Sequence, residues 1–124
     1  MFKIEFYKKD NQKTSELEEL LINLYSKSSK SKDARIKFKV IKAYIDLLEN
    51  HGTHLSENYV KKLTKEIYEL RPLRYRILFF IYNNKIIVLL HIFMKKSQKT
   101  PKREIKIAEL NMKYYIQRSS KYEI

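Results

Sequence analysis

The sequence predicts an α+β fold: a small antiparallel sheet with a two-helix N-terminal hairpin packed on one face, and a C-terminal helix. Three observations predict it. Residues 2–7 alternate apolar with polar, as a strand with one buried face does. Two segments between residues 12 and 51 repeat apolar residues at helical spacing. From residue 67 to residue 94, β-rich runs follow one another across short polar breaks, before the chain restarts at Thr100-Pro101.

Phe2-Lys3-Ile4-Glu5-Phe6-Tyr7 is the first strand. Over residues 12–28, Leu17, Leu20, Leu21, Leu24 and Tyr25 share a helix face. Thr14 or Ser15 can cap it, and Glu16, Glu18 and Glu19 suit the positive end of the helix dipole. After the polar connector Ser26–Ser31, Asp33 can cap a second helix, which from Ala34 carries Phe38, Ile41, Ile45 and Leu48 on one face. His51-Gly52 ends it at the only glycine of the chain. Residues 53–65 have no clear period and are open between a helical turn and a loop. Ile67–Leu70, Tyr75–Tyr82 and Lys85–Met94 read as an antiparallel meander, the last two strands joined by Asn83-Asn84, a pair that tolerates the left-handed turn of a tight hairpin. The last helix begins at Pro101, after Thr100, and buries Ile105, Ala108 and Met112. With the helices on one face of the sheet, the other face is expected to be open. On the 75–82 strand, alternation sends Tyr75, Ile77, Phe79 and Ile81 one way, and Arg76, Leu78 and Phe80 the other, with Arg74 on the same side.

Composition bounds the function. A chain of 124 residues, 44% of them hydrophobic, is enough for one domain spanning residues 1–124 with its own core. The absence of cysteine removes disulfides, thiolate metal sites and cysteine nucleophiles, and fits a reducing cytoplasm. A single glycine excludes phosphate-binding loops, dinucleotide fingerprints and nucleophile elbows, which need glycines at fixed places. MFKIEFYKKD lacks the apolar core of a signal peptide, and Asn83-Asn84-Lys85 divides the longest apolar stretch into pieces too short to span a bilayer as a helix. A soluble cytoplasmic protein with no membrane partner is expected.

Net charge is +13, and its location is more informative than its size. Residues 1–70 hold 14 Lys/Arg against 11 Asp/Glu, whereas residues 71–118 hold 12 against Glu104 and Glu109 alone. A compositional preference for lysine would not strip the acids from one half only. The second half therefore carries a polyanion-directed charge, in two clusters.

Arg71, Arg74 and Arg76, with Tyr75 between them, open a strand. Guanidinium groups suit a phosphodiester, since each donates two parallel hydrogen bonds and stays charged. The plain alternative is surface charge paired with Glu66 and Glu69. In LHIFMKKSQKTPKREI, Lys95, Lys96 and Lys99 precede a helix whose first turns carry Lys102, Arg103 and Lys106. A helix N-terminus adds free N–H groups, so the connection suits phosphate; the plain alternative is a solvated loop and an exposed helix face, the better account of Lys102 and Lys106. His51 and His54 lack a third ligand, and no metal or cofactor is expected. His91 lies within a strand and reads first as a buried, hydrogen-bonded histidine. Most of the ten tyrosines and six phenylalanines read as core rather than as base-stacking platforms.

Tyr68-Glu69-Leu70-Arg71, Tyr75-Arg76-Ile77, the run from Ile87 to Lys96, Lys99-Thr100-Pro101 and Glu104-Ile105, with Ala108 and Tyr115 beyond, together resemble the phage-derived HigB-like branch of the RelE/ParE toxin superfamily. The motifs cover the second half of the chain, and the element order matches throughout. The resemblance implies the toxin of a type II toxin–antitoxin module: an mRNA interferase that cuts message on the ribosome and is silenced by a helix-turn-helix antitoxin. It also implies a site of basic and aromatic residues on the sheet face. By position, Arg71 and Arg76 match the family's strand-borne basic residues, Lys95 or Lys96 its basic position at the end of the last strand, and Lys99 the lysine before Thr-Pro; Arg71, Arg76, Lys95, Lys96 and Lys99 are the catalytic candidates, and Arg74, Tyr75, His91, Lys102 and Arg103 the RNA-binding ones.

RNA can be cut without a metal when its own 2′-OH attacks the neighbouring phosphate. Arg71 and Arg76 are expected to hold that phosphate, and a lysine of 95–99 to transfer protons, with His91 or Tyr75 as alternatives. Three rival readings are a non-catalytic RNA- or DNA-binding module, a gyrase-inhibiting ParE-type toxin and a structural or regulatory phage protein whose charge only solvates its surface.

Overall fold

A computed structural model describes residues 1–120. The elements run β1 (Lys3–Phe6), α1 (Glu16–Lys27), α2 (Lys32–His51), β2 (Val60–Lys62), β3 (Tyr68–Leu70), β4 (Tyr75–Tyr82), β5 (Ile86–Met94) and α3 (Lys102–Ser120), with a single 3-10 turn at Gly52–His54 after α2. The α+β class and the order of helix pair, meander and final helix are as the sequence predicts. The five strands form one sheet in the order β1-β5-β4-β3-β2, and all neighbours are antiparallel except β1, which runs parallel to β5. β1 and β5 are far apart in sequence, so no hairpin forces them to oppose. β2 falls inside the ambiguous 53–65 stretch, where only Val60 of its three residues is buried and no alternation was there to be seen.

Local chemistry sets the helix ends. Ser15 caps α1 in a full capping box, its hydroxyl accepting from the Glu18 N–H while the Glu18 carboxylate accepts from the Ser15 N–H. Ser31, rather than Asp33, caps α2; Asp33 sits in the first turn and pairs with Lys37 at 2.8 Å. Gly52 ends α2 at φ +58°, and a Cβ there would lie 2.5 Å from the Phe2 ring, so both backbone and space require glycine.

The sheet is covered on both sides. On one, α1 and α2 pack Leu17, Leu24, Ile41, Ile45 and Leu48 against Leu70, Tyr75, Ile77, Phe79, Ile87 and Leu89. On the other, α3 packs Ala108, Met112, Tyr115 and Ile116 against Leu78, Phe80, Val88 and Leu90. The expected open face is thus largely closed by α3. The cause is visible in β4 and β5, whose runs ILFF and VLL are apolar on both parities and need burial on both faces. The end of this face next to Arg76 and Lys95, beyond the first turn of α3, stays accessible.

A β-bulge shapes that end. Leu78 pairs with His91 but Phe79 pairs with Leu89, leaving Leu90 as the extra residue of β5. The bulge turns Leu90 and His91 to the same side, so that His91 and Phe93 continue on the α3 side of the sheet. The Asn111 amide on α3 donates to the Leu90 carbonyl at 3.0 Å, satisfying an acceptor near the bulge.

Candidate functional site

The turn from β3 into β4 and the connection from β5 into α3 lie side by side. Between them is an open groove of about 320 Å³ lined by Leu73, Arg74, Arg76, Lys95, Lys96, Ser97 and Gln98. Four of the seven lining residues are cationic and none is acidic, so the groove attracts an anion without a carboxylate to repel it. The two loops are joined by a hydrogen bond of 2.7 Å from the Lys95 N–H to the Arg74 carbonyl.

Arg76 is the buried brace of this arrangement. Its Nη1 donates to the carbonyls of Leu73 at 3.1 Å and Tyr75 at 2.7 Å, fixing the turn, and its Nε lies 3.8 Å from Glu69. Burial and the neighbouring Arg71 lower its pKa from the usual arginine value, with Glu69 acting in the opposite sense; a guanidinium stays charged in proteins at neutral pH.

Glu69 is the hub. Only 2% exposed, it faces Arg71 Nε at 3.5 Å as well as Arg76, and its second oxygen accepts a hydrogen bond of 2.5 Å from the Thr100 hydroxyl. One carboxylate thereby ties β3, β4 and the start of α3 together. Arg71 also donates to the Glu57 carbonyl at 3.2 Å, and it stands behind the groove rather than on its lining. A second pair docks α3: His91 Nε2 lies 2.8 Å from Glu104, which also faces Arg103 at 3.7 Å, and His91 stacks on Phe93 at 5.8 Å.

The structure therefore brings Arg74, Arg76, Lys95 and Lys96 around one groove and connects Arg71 to them through Glu69. Lys99 is exposed on the same connection, its carbonyl accepting from the Ser97 hydroxyl at 3.0 Å; Lys102 and Arg103 are exposed on the first turn of α3. His91 lies under that turn, bound to Glu104. Tyr75 is not brought in: its side chain is 8% exposed within the layer facing α1 and α2, on the far side of the sheet from Arg76. The ion pair with Glu69, the plain reading of the arginines, and the cationic groove coexist, because the carboxylate is buried behind the groove. Sequence reasoning missed Leu73 and Thr100. Thr100 carried a signal, since it directly precedes the helix-starting Pro101; Leu73 carried none. Among the described residues, no group of three or more His, Cys, Asp or Glu side chains is placed to hold a metal ion, and no helix is long and apolar enough to cross a membrane.

The fold and site define a class before any relative is considered: a small α+β protein presenting a cationic groove at the end of its sheet. The chain matches the family model described as phage-derived protein Gp49-like (DUF891) over residues 29–113, and it belongs to that family, a RelE/HigB-like toxin family. The matched region runs from the connector between α1 and α2 into α3 and contains every residue lining the groove. No curated protein matches the chain.

Proposed function

We propose that this protein is the toxin of a type II toxin–antitoxin pair, of the HigB-like branch, and that its groove cuts mRNA on the ribosome. The observation that carries the reading is the groove lined by Arg74, Arg76, Lys95 and Lys96 with no acidic residue, in a chain of the Gp49-like family. The partners in this reading are mRNA, the ribosome and a helix-turn-helix antitoxin.

RNA supplies its own nucleophile. The 2′-oxygen attacks the adjacent phosphorus, the bond to the 5′-oxygen breaks, and the products are a 2′,3′-cyclic phosphate and a 5′-hydroxyl. Negative charge accumulates on the non-bridging oxygens and on the departing 5′-oxygen, which gains a proton as the 2′-OH loses one. Arg74, Lys95 and Lys96 face that charge from the groove, and Arg76 adds a fixed positive centre behind it. A lysine ammonium can donate the proton to the leaving oxygen. Arg71 acts through Glu69 and the braced arginine, while Lys99, Lys102 and Arg103 lie where flanking phosphates of a longer strand would pass.

The test is induction of the wild type and of a Lys95→Gln/Lys96→Gln variant, followed by growth measurement and mapping of mRNA ends. New message ends and arrest with the wild type, both reduced at least tenfold in the variant, are the expected result. RNA binding without cutting would identify a non-catalytic module; arrest with intact mRNA and inhibited gyrase would identify a ParE-type toxin.

A further inference from the structure

We propose that Leu73 is an apolar wedge that separates the two nucleotides flanking the bound phosphate, an inference that rests on the RNA-cutting reading of the groove. Leu73 is the one large apolar side chain among the groove's lining residues, and it is 47% exposed. It also has φ +56°, a left-handed backbone that leucine rarely adopts and that glycine or asparagine accepts more easily. A leucine there is unfavourable twice over, in its backbone and in its exposure to water.

The surrounding turn holds the unfavourable conformation in place. Pro72 is fully buried, the Tyr75 N–H donates to the Pro72 carbonyl at 2.9 Å, and the Leu73 carbonyl is gripped by Arg76 at 3.1 Å. The Arg74 carbonyl is bound by the Lys95 N–H. Every residue of the turn is tied down while the Leu73 side chain is left at the groove, an apolar projection on a rigid base among cations.

Such a projection complements one need of the reaction. In stacked single-stranded RNA the 2′-oxygen is not in line with the bond to the 5′-oxygen, and attack requires the step to be opened. Cations hold phosphates but do not separate bases; an apolar side chain inserted at a base step does. Leu73 is thus a positioning residue that touches the substrate's bases, and the groove prefers a strand that is free to unstack over a duplex.

The test uses the full chain and a short single-stranded RNA carrying 2-aminopurine, whose fluorescence rises when it unstacks. Wild type is expected to bind and raise the fluorescence. Leu73→Gly and Leu73→Asn are expected to melt no lower than wild type and to bind within about threefold of it, since the cations remain. Both are expected to lose the fluorescence rise and at least tenfold in mRNA cutting, while Leu73→Met retains both. If either relaxed variant opens and cuts RNA as wild type does, Leu73 is no wedge. If Leu73→Gly and Leu73→Asn weaken binding and unstacking in parallel, Leu73 is a plain contact and the wedge is again rejected. Failure of the wild type to bind RNA would instead remove the groove reading, and the wedge with it.

Discussion

Glu69 shows how one residue decides the local order. Its carboxylate is buried against two guanidiniums and a hydroxyl, so removing it leaves positive charge without a counter-ion. Glu69→Ala is expected to destabilise the protein by about 3 kcal/mol, measured by urea unfolding near neutral pH. Glu69→Gln, which keeps an acceptor for Thr100, is expected to lose less. Tyr115 sets a second prediction. Its hydroxyl donates to Glu5 at 2.5 Å, and burial, then this bond, raise its pKa well above the usual 10.0; burial also raises that of Tyr7. In the unfolded chain both phenols ionise near pH 10, while the folded protein holds their protons. Their contribution is therefore complete below about pH 10 and is lost as pH rises from there through the folded values. Tyr115→Phe is expected to cost about 1–2 kcal/mol at neutral pH and to make the alkaline loss of stability shallower, both read by denaturant titration across pH. At this scale the sequence was legible for charge and poor for orientation. It grouped Arg71 and Arg76 with Lys95, Lys96 and Lys99, whereas the groove is lined by Arg74 and Arg76 with Lys95 and Lys96, and Arg71 and Lys99 lie off its lining; the inward turn of Tyr75 and the outward turn of Leu73 depend on the sheet's two covered faces and on a braced turn.

Elements were legible where a period was long enough to see. The two N-terminal helices, the meander and the Asn83-Asn84 turn, both residues with positive φ, follow directly from spacing and turn chemistry. The three-residue β2 and the extra residue in β5 were not, because neither changes composition; each exists only through its partner strand. The placement of α3 was readable in principle, since strands apolar on both parities demand two covers. Two substitutions test these contacts. Gly52→Ala adds a left-handed penalty and a collision with Phe2, and is expected to cost about 2 kcal/mol or more. Ala108→Leu overfills the contact between α3 and the sheet, where Ala108 is completely buried, and is expected to cost about 1–3 kcal/mol. Circular-dichroism melts check both, and Ala108→Leu should weaken RNA cutting as well, since the connection that carries Lys95 and Lys96 is anchored at its far end by the Thr100–Glu69 bond and by the contact of Glu104, on α3, with His91.

At the scale of the whole molecule, the clustered cations of the second half meet at the groove at one end of the sheet, within the residues that the family model matches. Acids of the second half are scarce, and Glu104 is spent on internal contacts with His91 and Arg103. Net positive charge thus remains at the surface where a strand would lie. If Arg74, Lys95 and Lys96 contact phosphates, the logarithm of RNA affinity should fall with the logarithm of salt concentration with a slope of about −2. Fluorescence anisotropy with a single-stranded RNA measures it, and the Lys95→Gln/Lys96→Gln variant should reduce the slope by about two-thirds. The most direct measurement of the central claim is the chemistry of the RNA ends produced when the protein is induced. Cutting by the RNA's own 2′-oxygen predicts 2′,3′-cyclic phosphates and 5′-hydroxyls that accumulate with the wild type and fall at least tenfold with the double lysine variant. Ends bearing 5′-phosphates, or equal cutting by both proteins, would contradict it.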